Sequence, residues 1–313
     1  MAEIKKVATR EAYGEAIAKY GEEYDIVVLD ADLSKSTKTA TFQKKFPERF
    51  INCGIAEANM VSTAAGLASC GKTVFASSFA IFAAGRAYEQ VRNSVGYPHL
   101  NVKIAATHAG ISVGEDGATH QAIEDLSLMR SIPGMVVINP ADSVETFGAV
   151  KAAIEHDGPV YLRFGRLATE VIYDENYKFE LGKASTVKDG SDVTIIACGM
   201  MVAEAIHAAE MLEKDGISAR IINMHTIKPI DADAIVKAAK ETGAIVTAEE
   251  HSILGGLGSA VAEVVCENCP VPVVRVGVED KFGKSGTPAA LLKEYGLTPE
   301  NIAEKAKLAI SKK

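Results

Sequence analysis

Between Thr107 and Gln121 the chain gathers two of its seven histidines, His108 and His120, an acidic pair, Glu115 and Asp116, and glycines at 110, 114 and 117. Histidine titrates near neutral pH and can move protons there. Carboxylates accept hydrogen bonds from hydroxyls. Glycines adopt backbone angles that other residues resist, and they let a ligand approach closely. His108, Asp116 and His120 are also metal-ligand types. Their spacing matches none of the short His/Cys ligand patterns, so no metal is expected on them.

The elements around this stretch say where it sits. Val102-Lys-Ile-Ala-Ala106 predicts a short buried strand before it, and residues 122–130 predict a helix after it. A Gly-rich loop bearing histidines and acids at the C-terminal end of a strand is where open α/β sheets place their chemistry. Upstream, residues 8–20 predict a helix, 25–29 a buried strand and 30–37 a polar loop. Residues 50–53 predict a short strand leading into a small-residue helix through Ala68. Residues 73–77 predict a strand, and 79–95 a helix with Phe79, Phe82 and Tyr88 among its apolar positions. Downstream, 135–138 and 160–164 predict strands, with Asp142 capping a helix over 143–155. Residues 171–190 lose the pattern and are read as a linker. A second strand–helix series then runs to residue 276, with Asp231 as a cap. Alternation at this spacing predicts an α/β chain with mostly parallel sheets and helices on both faces.

Three motifs are set aside. Gly66 to Thr73 spells a phosphate-binding P-loop, but a helix precedes it and a strand comes after, the reverse of what phosphate binding needs. Gly71 reads as a helix stop instead. Gly256-Leu-Gly258 lacks the third glycine of a dinucleotide fingerprint and reads as a tight strand-to-helix turn. Cys266-Glu-Asn-Cys269 is a lone pair and reads as structural. His225 and His251 are expected to make local hydrogen bonds near strand ends.

Composition bounds the rest. The 313 residues are 48% hydrophobic and 24% charged, which suits about two domains. The net charge of −8 without a Lys/Arg cluster or Trp argues against nucleic-acid binding. The first seven residues carry no apolar signal core, and no apolar run reaches membrane-spanning length. Five cysteines, an odd number, are read as free thiols in a reducing cytoplasm.

Several of these stretches resemble transketolases. The Thr107–Gln121 loop, Ala8-Thr-Arg10, Ala31-Asp32-Leu33 with Ser36, Gly54-Ile-Ala-Glu57, Ser78-Phe79 and Met224-His-Thr-Ile-Lys-Pro-Ile230 agree in order and spacing. The resemblance covers nearly the whole chain, yet only the C-terminal half of a full-length transketolase. It implies two doubly wound domains, a pyrimidine-binding domain over residues 1–175 and a transketolase C-terminal domain over 190–313. The family's Gly-Asp-Gly…Asn motif, which holds the diphosphate of thiamine diphosphate with a divalent cation, is absent from the sequence. The resemblance therefore implies the smaller subunit of a split transketolase. An N-terminal partner subunit would grip the diphosphate and the Mg²⁺ or Ca²⁺, within an α2β2 assembly whose active site lies between chains.

The same resemblance implies roles. Glu57 would hydrogen-bond N1′ of the aminopyrimidine and favour the imino form of the ring, whose nitrogen removes the thiazolium C2 proton. Its small, apolar neighbours suit a carboxyl that is protonated at some point; read alone, a glutamate near a helix start is simply favoured by the dipole. Phe79 would stack on the pyrimidine and Phe82 would line the same pocket, although both also fit a core at i, i+3. Ala76 and Ala58 stand where relatives often carry a ring and a larger polar residue. Asp32 and Leu33 would touch the cofactor. Arg10, Ser36, His108 and Arg166 would hold the phosphate of a sugar phosphate, with Arg163 an alternative to Arg166. Asp116 would accept from a sugar hydroxyl, and His120 would move protons near the reacting oxygens. Other readings are a β subunit of a 2-oxo acid dehydrogenase and a nonenzymatic assembly or regulatory subunit. The paired histidines and the phosphate set argue against the first, and the intact catalytic set argues against the second. Deoxyxylulose phosphate synthase has a similar C-terminal half but is normally one chain.

Overall fold

The computed structural model describes residues 5–313; part of the N-terminal stretch read for a signal core lies outside the described residues. A seven-stranded sheet organises the first half. Its spatial order is Thr226–Lys228, Val136–Ile138, Val160–Arg163, Val102–Thr107, Thr73–Phe79, Ile26–Asp30, Phe50–Asn52. All neighbours are parallel except the first pair. The central strands are apolar on both faces because helices cover both. Val28, Phe75, Ala105 and Leu162 face the helices Thr9–Tyr20 and Ser143–Glu155. Their strand neighbours Leu29, Ala76 and Ile104 face the helix Glu57–Ser69 instead, and Tyr161 reaches Asp125 of the helix Asp125–Arg130, the alternation that a pleated strand requires.

The second half builds a five-stranded sheet in the order Val273–Val278, Ile245–Ser252, Val193–Ala197, Ala219–Asn223, Ser185–Lys188. Only the last strand runs antiparallel to its neighbour. Asp142 and Asp231 cap their helices as expected, accepting from Glu145 N and Ala234 N. The helix Glu57–Ser69 ends before Gly71, at φ +85, and the strand Thr73–Phe79 comes next, so the P-loop-like run lacks the phosphate-binding context. At Gly256 the dinucleotide reading fails for a visible reason. The N-terminus of the helix Leu257–Asn268 is filled by the chain's own Glu249, which accepts from Leu257 N (2.7 Å) and Gly258 N (2.8 Å). Among the described residues no helix is long and apolar enough to cross a membrane.

Three expectations change. Phe79 closes a strand rather than opening a helix, and residues 81–96 are two π-helical segments around Tyr88–Gln90. The helix expected from residue 122 begins at Asp125, because Ala122 pairs with Ala109 in an isolated bridge. Residues 171–190 are not a bare linker. Ser185–Lys188 joins the second sheet as an edge strand. Tyr177 donates to the buried Glu145, which also accepts from Asn223 Nδ2 (2.8 and 2.9 Å) and Ala141 N (2.7 Å). This network ties the two halves together. So does the strand Thr226–Lys228, which belongs to the second half in sequence and completes the first sheet. One apolar core accordingly runs through both, joining Val137 and Tyr161 to Ile196 and Met224.

Candidate active site

The strands Ile26–Asp30, Thr73–Phe79 and Val102–Thr107 lie side by side, so the loops leaving their C-terminal ends gather on one edge of the sheet. Asp30 ends the first and is buried. It accepts from Leu33 N (2.6 Å), Thr37 Oγ1 (2.7 Å) and Thr39 Oγ1 (2.9 Å), and so shapes the loop that carries Asp32, Leu33 and Ser36. Phe79 ends the second strand and is 8% exposed. His108 comes directly after the third, in the left-handed region at φ +57.

His108 is the centre of a cationic cluster. Arg10 Nη1 donates to the Ser36 carbonyl (3.0 Å) and to His108 Nε2 (3.1 Å). A guanidinium can only donate, so Nε2 accepts and the ring proton sits on Nδ1, facing Thr107 Oγ1 at 2.9 Å. Burial, then the charges of Arg10 and Arg166, with smaller contributions from His120 and Lys38, hold its pKa down to about 3. The imidazole is therefore neutral at physiological pH, and the positive charge around it resides on Arg10, Arg166 and Lys38. Such a cluster suits an anion with several oxygens. Lys38 was not foreseen; it pairs with Glu11 at 2.8 Å and lies two residues beyond Ser36. ¹H–¹⁵N spectra of the histidine-labelled chain are expected to show His108 as the neutral Nδ1–H tautomer from about pH 5 to about pH 8. An imidazolium signal growing in above about pH 5 would contradict this assignment.

An aromatic strip runs from this cluster to the buried acid. The His108 and Phe79 rings stack at 3.8 Å, and Phe79 and Phe82 lie nearly parallel at 6.1 Å. The His120 ring stands edge-on to Phe82 at 5.5 Å and to Phe79 at 6.4 Å, with Nδ1 2.9 Å from Thr119 Oγ1. Arg86, also unforeseen, lies four residues beyond Phe82 on the same helical segment. Its guanidinium sits 4.9 Å from the Phe82 ring centroid and 3.4 Å from Glu57 Oε2. Glu57 opens the helix Glu57–Ser69 and is only 2% exposed, so it is not the solvated helix-start glutamate that its position alone suggests.

The remaining residues are placed less tightly. Asp32 accepts from Asn52 Nδ2 (2.9 Å), and Leu33 lies half-buried in the same loop. Asp116 is exposed at the end of the short 3-10 segment Ile111–Asp116. Arg166 donates to the Val113 carbonyl and to Glu115 Oε2 (3.1 Å). Arg163 is committed elsewhere, buried against Asp125 (2.7 Å), which leaves Arg166 as the arginine facing the cluster. His225 meets Thr226 Oγ1 (2.9 Å), a local contact as expected; His251 meets the Ser252 carbonyl (2.7 Å) but also accepts from Ser127 N (3.4 Å) in the other half, so its contacts are not only local. Among the described residues no group of three or more His, Cys, Asp or Glu side chains gathers as a metal site.

Comparison with known proteins places this geometry in context. Residues 5–171 match the model for "Transketolase, pyrimidine binding domain", and residues 182–302 match "Transketolase, C-terminal domain". The chain is 55% identical to a transketolase C-terminal section from Methanocaldococcus jannaschii over 300 residues, which is 95% of this chain and 94% of that one. It is 48% identical to a 6-deoxy-6-sulfo-D-fructose transketolase subunit from Clostridium sp. (strain MSTE9), covering 95% of this chain and 92% of the relative. A solved split-gene transketolase, an inactive β4 tetramer, superposes with a TM-score of 0.93 at 56% identity, covering 98% and 99% of the two chains.

Proposed function

The chain belongs to the transketolase family, and we propose that it is the C-terminal subunit of a split enzyme that moves a two-carbon ketol unit from a ketose phosphate to an aldose phosphate. The family depends on thiamine diphosphate. The observation that carries the reading is the continuous strip from Glu57 through Phe82 and Phe79 to His108 and Arg10. It offers flat apolar faces and a buried acid at one end and a cationic cluster at the other. That order fits a heteroaromatic ring at the first end and the anionic tail of a sugar at the second. The dehydrogenase reading is not favoured, because the relatives are transketolase subunits across nearly their whole length.

Phe79 and Phe82 would bear the aminopyrimidine, with Glu57 at its N1′ and Asp32 and Leu33 at its border. When bound, thiamine diphosphate supplies the carbon nucleophile that breaks and re-forms the ketose carbon–carbon bond. Glu57 holds or releases a proton at N1′. His120, which reaches both Phe rings, moves a proton at the sugar oxygens. Arg10, Ser36, His108 and Arg166 form the phosphate site, where the neutral His108 carries no charge and, by accepting from Arg10 Nη1, orients that guanidinium. Asp116 accepts from a sugar hydroxyl once a substrate reaches that exposed edge. The diphosphate and its Mg²⁺ or Ca²⁺ fall to an N-terminal partner subunit in an α2β2 assembly. The inactive β4 state of the solved relative supports that division of labour.

Mixing the chain with its N-terminal partner, thiamine diphosphate and Mg²⁺ is expected to give ketol transfer from xylulose 5-phosphate to an aldose phosphate, with no transfer by this chain alone. Turnover without the partner would overturn the half-site reading. Decarboxylation of a 2-oxo acid in place of transfer would move the protein to the dehydrogenase class.

A further inference from the structure

The loop at residues 110–121 is packed against the C-terminal half. Its glycines all have positive φ, and each faces the C-terminal half. A Cβ on Gly110 would fall 2.3 Å from the Glu250 carboxyl carbon, one on Gly114 3.2 Å from the Pro288 ring, and one on Gly117 2.5 Å from Ser285 Oγ. Ser112 N donates to Glu250 Oε1 at 2.6 Å. The small side of this loop is therefore turned to protein and not only to a ligand. The short helix Pro288–Glu294 and the segment before it lie directly on it.

A second fastening is Gln121. It is buried, and its Nε2 donates to Ile111 O (3.1 Å) and Gly114 O (3.4 Å) within the loop and to Lys284 O (3.0 Å) in the segment. Its Oε1 has no hydrogen-bond partner and points at Gly283, where a Cβ would fall 1.8 Å away. One side chain thus closes the loop on itself and ties it to a backbone 163 positions away. A side chain at the position opposite would have to push the Gln121 amide aside. Resting on the reading that residues 107–121 bind the sugar phosphate, we propose that residues 282–288 form a latch. Fastened by Gln121 and Gly283, it holds the loop carrying Asp116 and His120 in its substrate-binding shape. Gln121 and Gly283 are positioning residues, and the C-terminal half takes part in substrate binding by shaping a loop of the other half.

The test uses Gly283→Ala, Gln121→Ala and the double variant. In the free chain, amide hydrogen exchange of peptides covering 110–121 is expected to speed up roughly tenfold in each single variant, with peptides of the strand Val193–Ala197 unchanged. In the complex with the partner subunit and thiamine diphosphate, KM for the ketose phosphate is expected to rise roughly tenfold while kcat and cofactor affinity change much less. The double variant is expected to be no worse than Gln121→Ala, because the two residues act as one unit. Unchanged exchange in the loop would overturn the latch. Faster exchange with an unchanged KM, or additive losses in the double variant, would overturn its role in substrate binding. Should Gly283→Ala disturb the Val193–Ala197 peptides as well, Gln121→Ala decides. An inactive wild-type complex would count against the proposed function alone, since the exchange result stands without turnover.

Discussion

Glu57→Gln is expected to lower kcat of the assembled enzyme by about 10²–10⁴, the range for loss of a general acid–base group. The substitution changes little else. Glutamine has the same shape, and the site is already enclosed, with Glu57 2% exposed at the first turn of its helix. The side chain caps no backbone amide there, since the N-cap residue is Ala56 and carries no side-chain bond. Its ion pair with Arg86 is long, at 3.4 Å, and Arg86 is 57% exposed, so its loss costs little stability. What glutamine cannot do is exchange a proton with N1′. Steady-state and single-turnover rates are the measurement, with thermal unfolding and cofactor binding as controls. A kcat within about threefold of wild type would remove Glu57 from the chemistry.

That residue also marks how far the sequence alone reached. The buried parallel strands were legible because helices cover both their faces, which leaves runs that are wholly apolar, as at 26–29, or apolar but for one residue, Lys103 in 102–106 and Thr194 in 193–197. The short strands Ser185–Lys188 and Thr226–Lys228 were not. They are edge additions of three or four residues, partly polar, and exist because a neighbouring strand offers free backbone groups. The π-helical stretch at 81–96 kept a helix-like composition, so its apolar spacing read as one helix beginning at Phe79. In the site, the His- and Gly-rich loop announced itself by residue type. The burial of Glu57 did not: a glutamate at a helix start looks solvated until the opposite helical segment is in place. Lys38, Arg86 and Gln121 were missed because they meet Glu11, Glu57 and Lys284 only by tertiary contact, and Asp30 because its donors, though local, converge only once the loop is folded. The glycines of the loop were read as room for a ligand. In the structure they are also room for Glu250, Ser285 and Pro288.

Arg163 is the position where the largest loss of stability is expected. Its Nε and Nη2 reach Asp125 at 2.7 and 3.2 Å, and Nη2 also donates to the carbonyls of Ala122 (3.3 Å) and Glu250 (3.0 Å). Tyr161 donates to the same carboxylate at 2.7 Å. Both members of the pair are buried. Burial by itself would push Asp125 upward; the Arg163 charge outweighs it and holds the carboxyl below its ordinary range. Arg163→Met leaves that carboxylate enclosed with one phenol for company, a loss of about 3–5 kcal/mol in chemical unfolding. The sign with pH comes from the pair. In the wild type the contribution of Asp125 is present above its unfolded pKa and is lost as pH falls through the depressed folded one. In the variant the folded pKa rises, so acid protonates the stranded carboxyl and relieves it. The gap between the two proteins therefore narrows as pH falls through the carboxylate range. Arg163→Met with Asp125→Leu, which removes both charges, is expected to recover most of the loss. If Arg163 were instead a phosphate ligand, as its closeness in sequence to Arg166 allowed, Arg163→Met would raise KM and leave unfolding unchanged. The guanidinium cannot serve both ends, because its donors already join the carboxylate of one half to the backbone of the other.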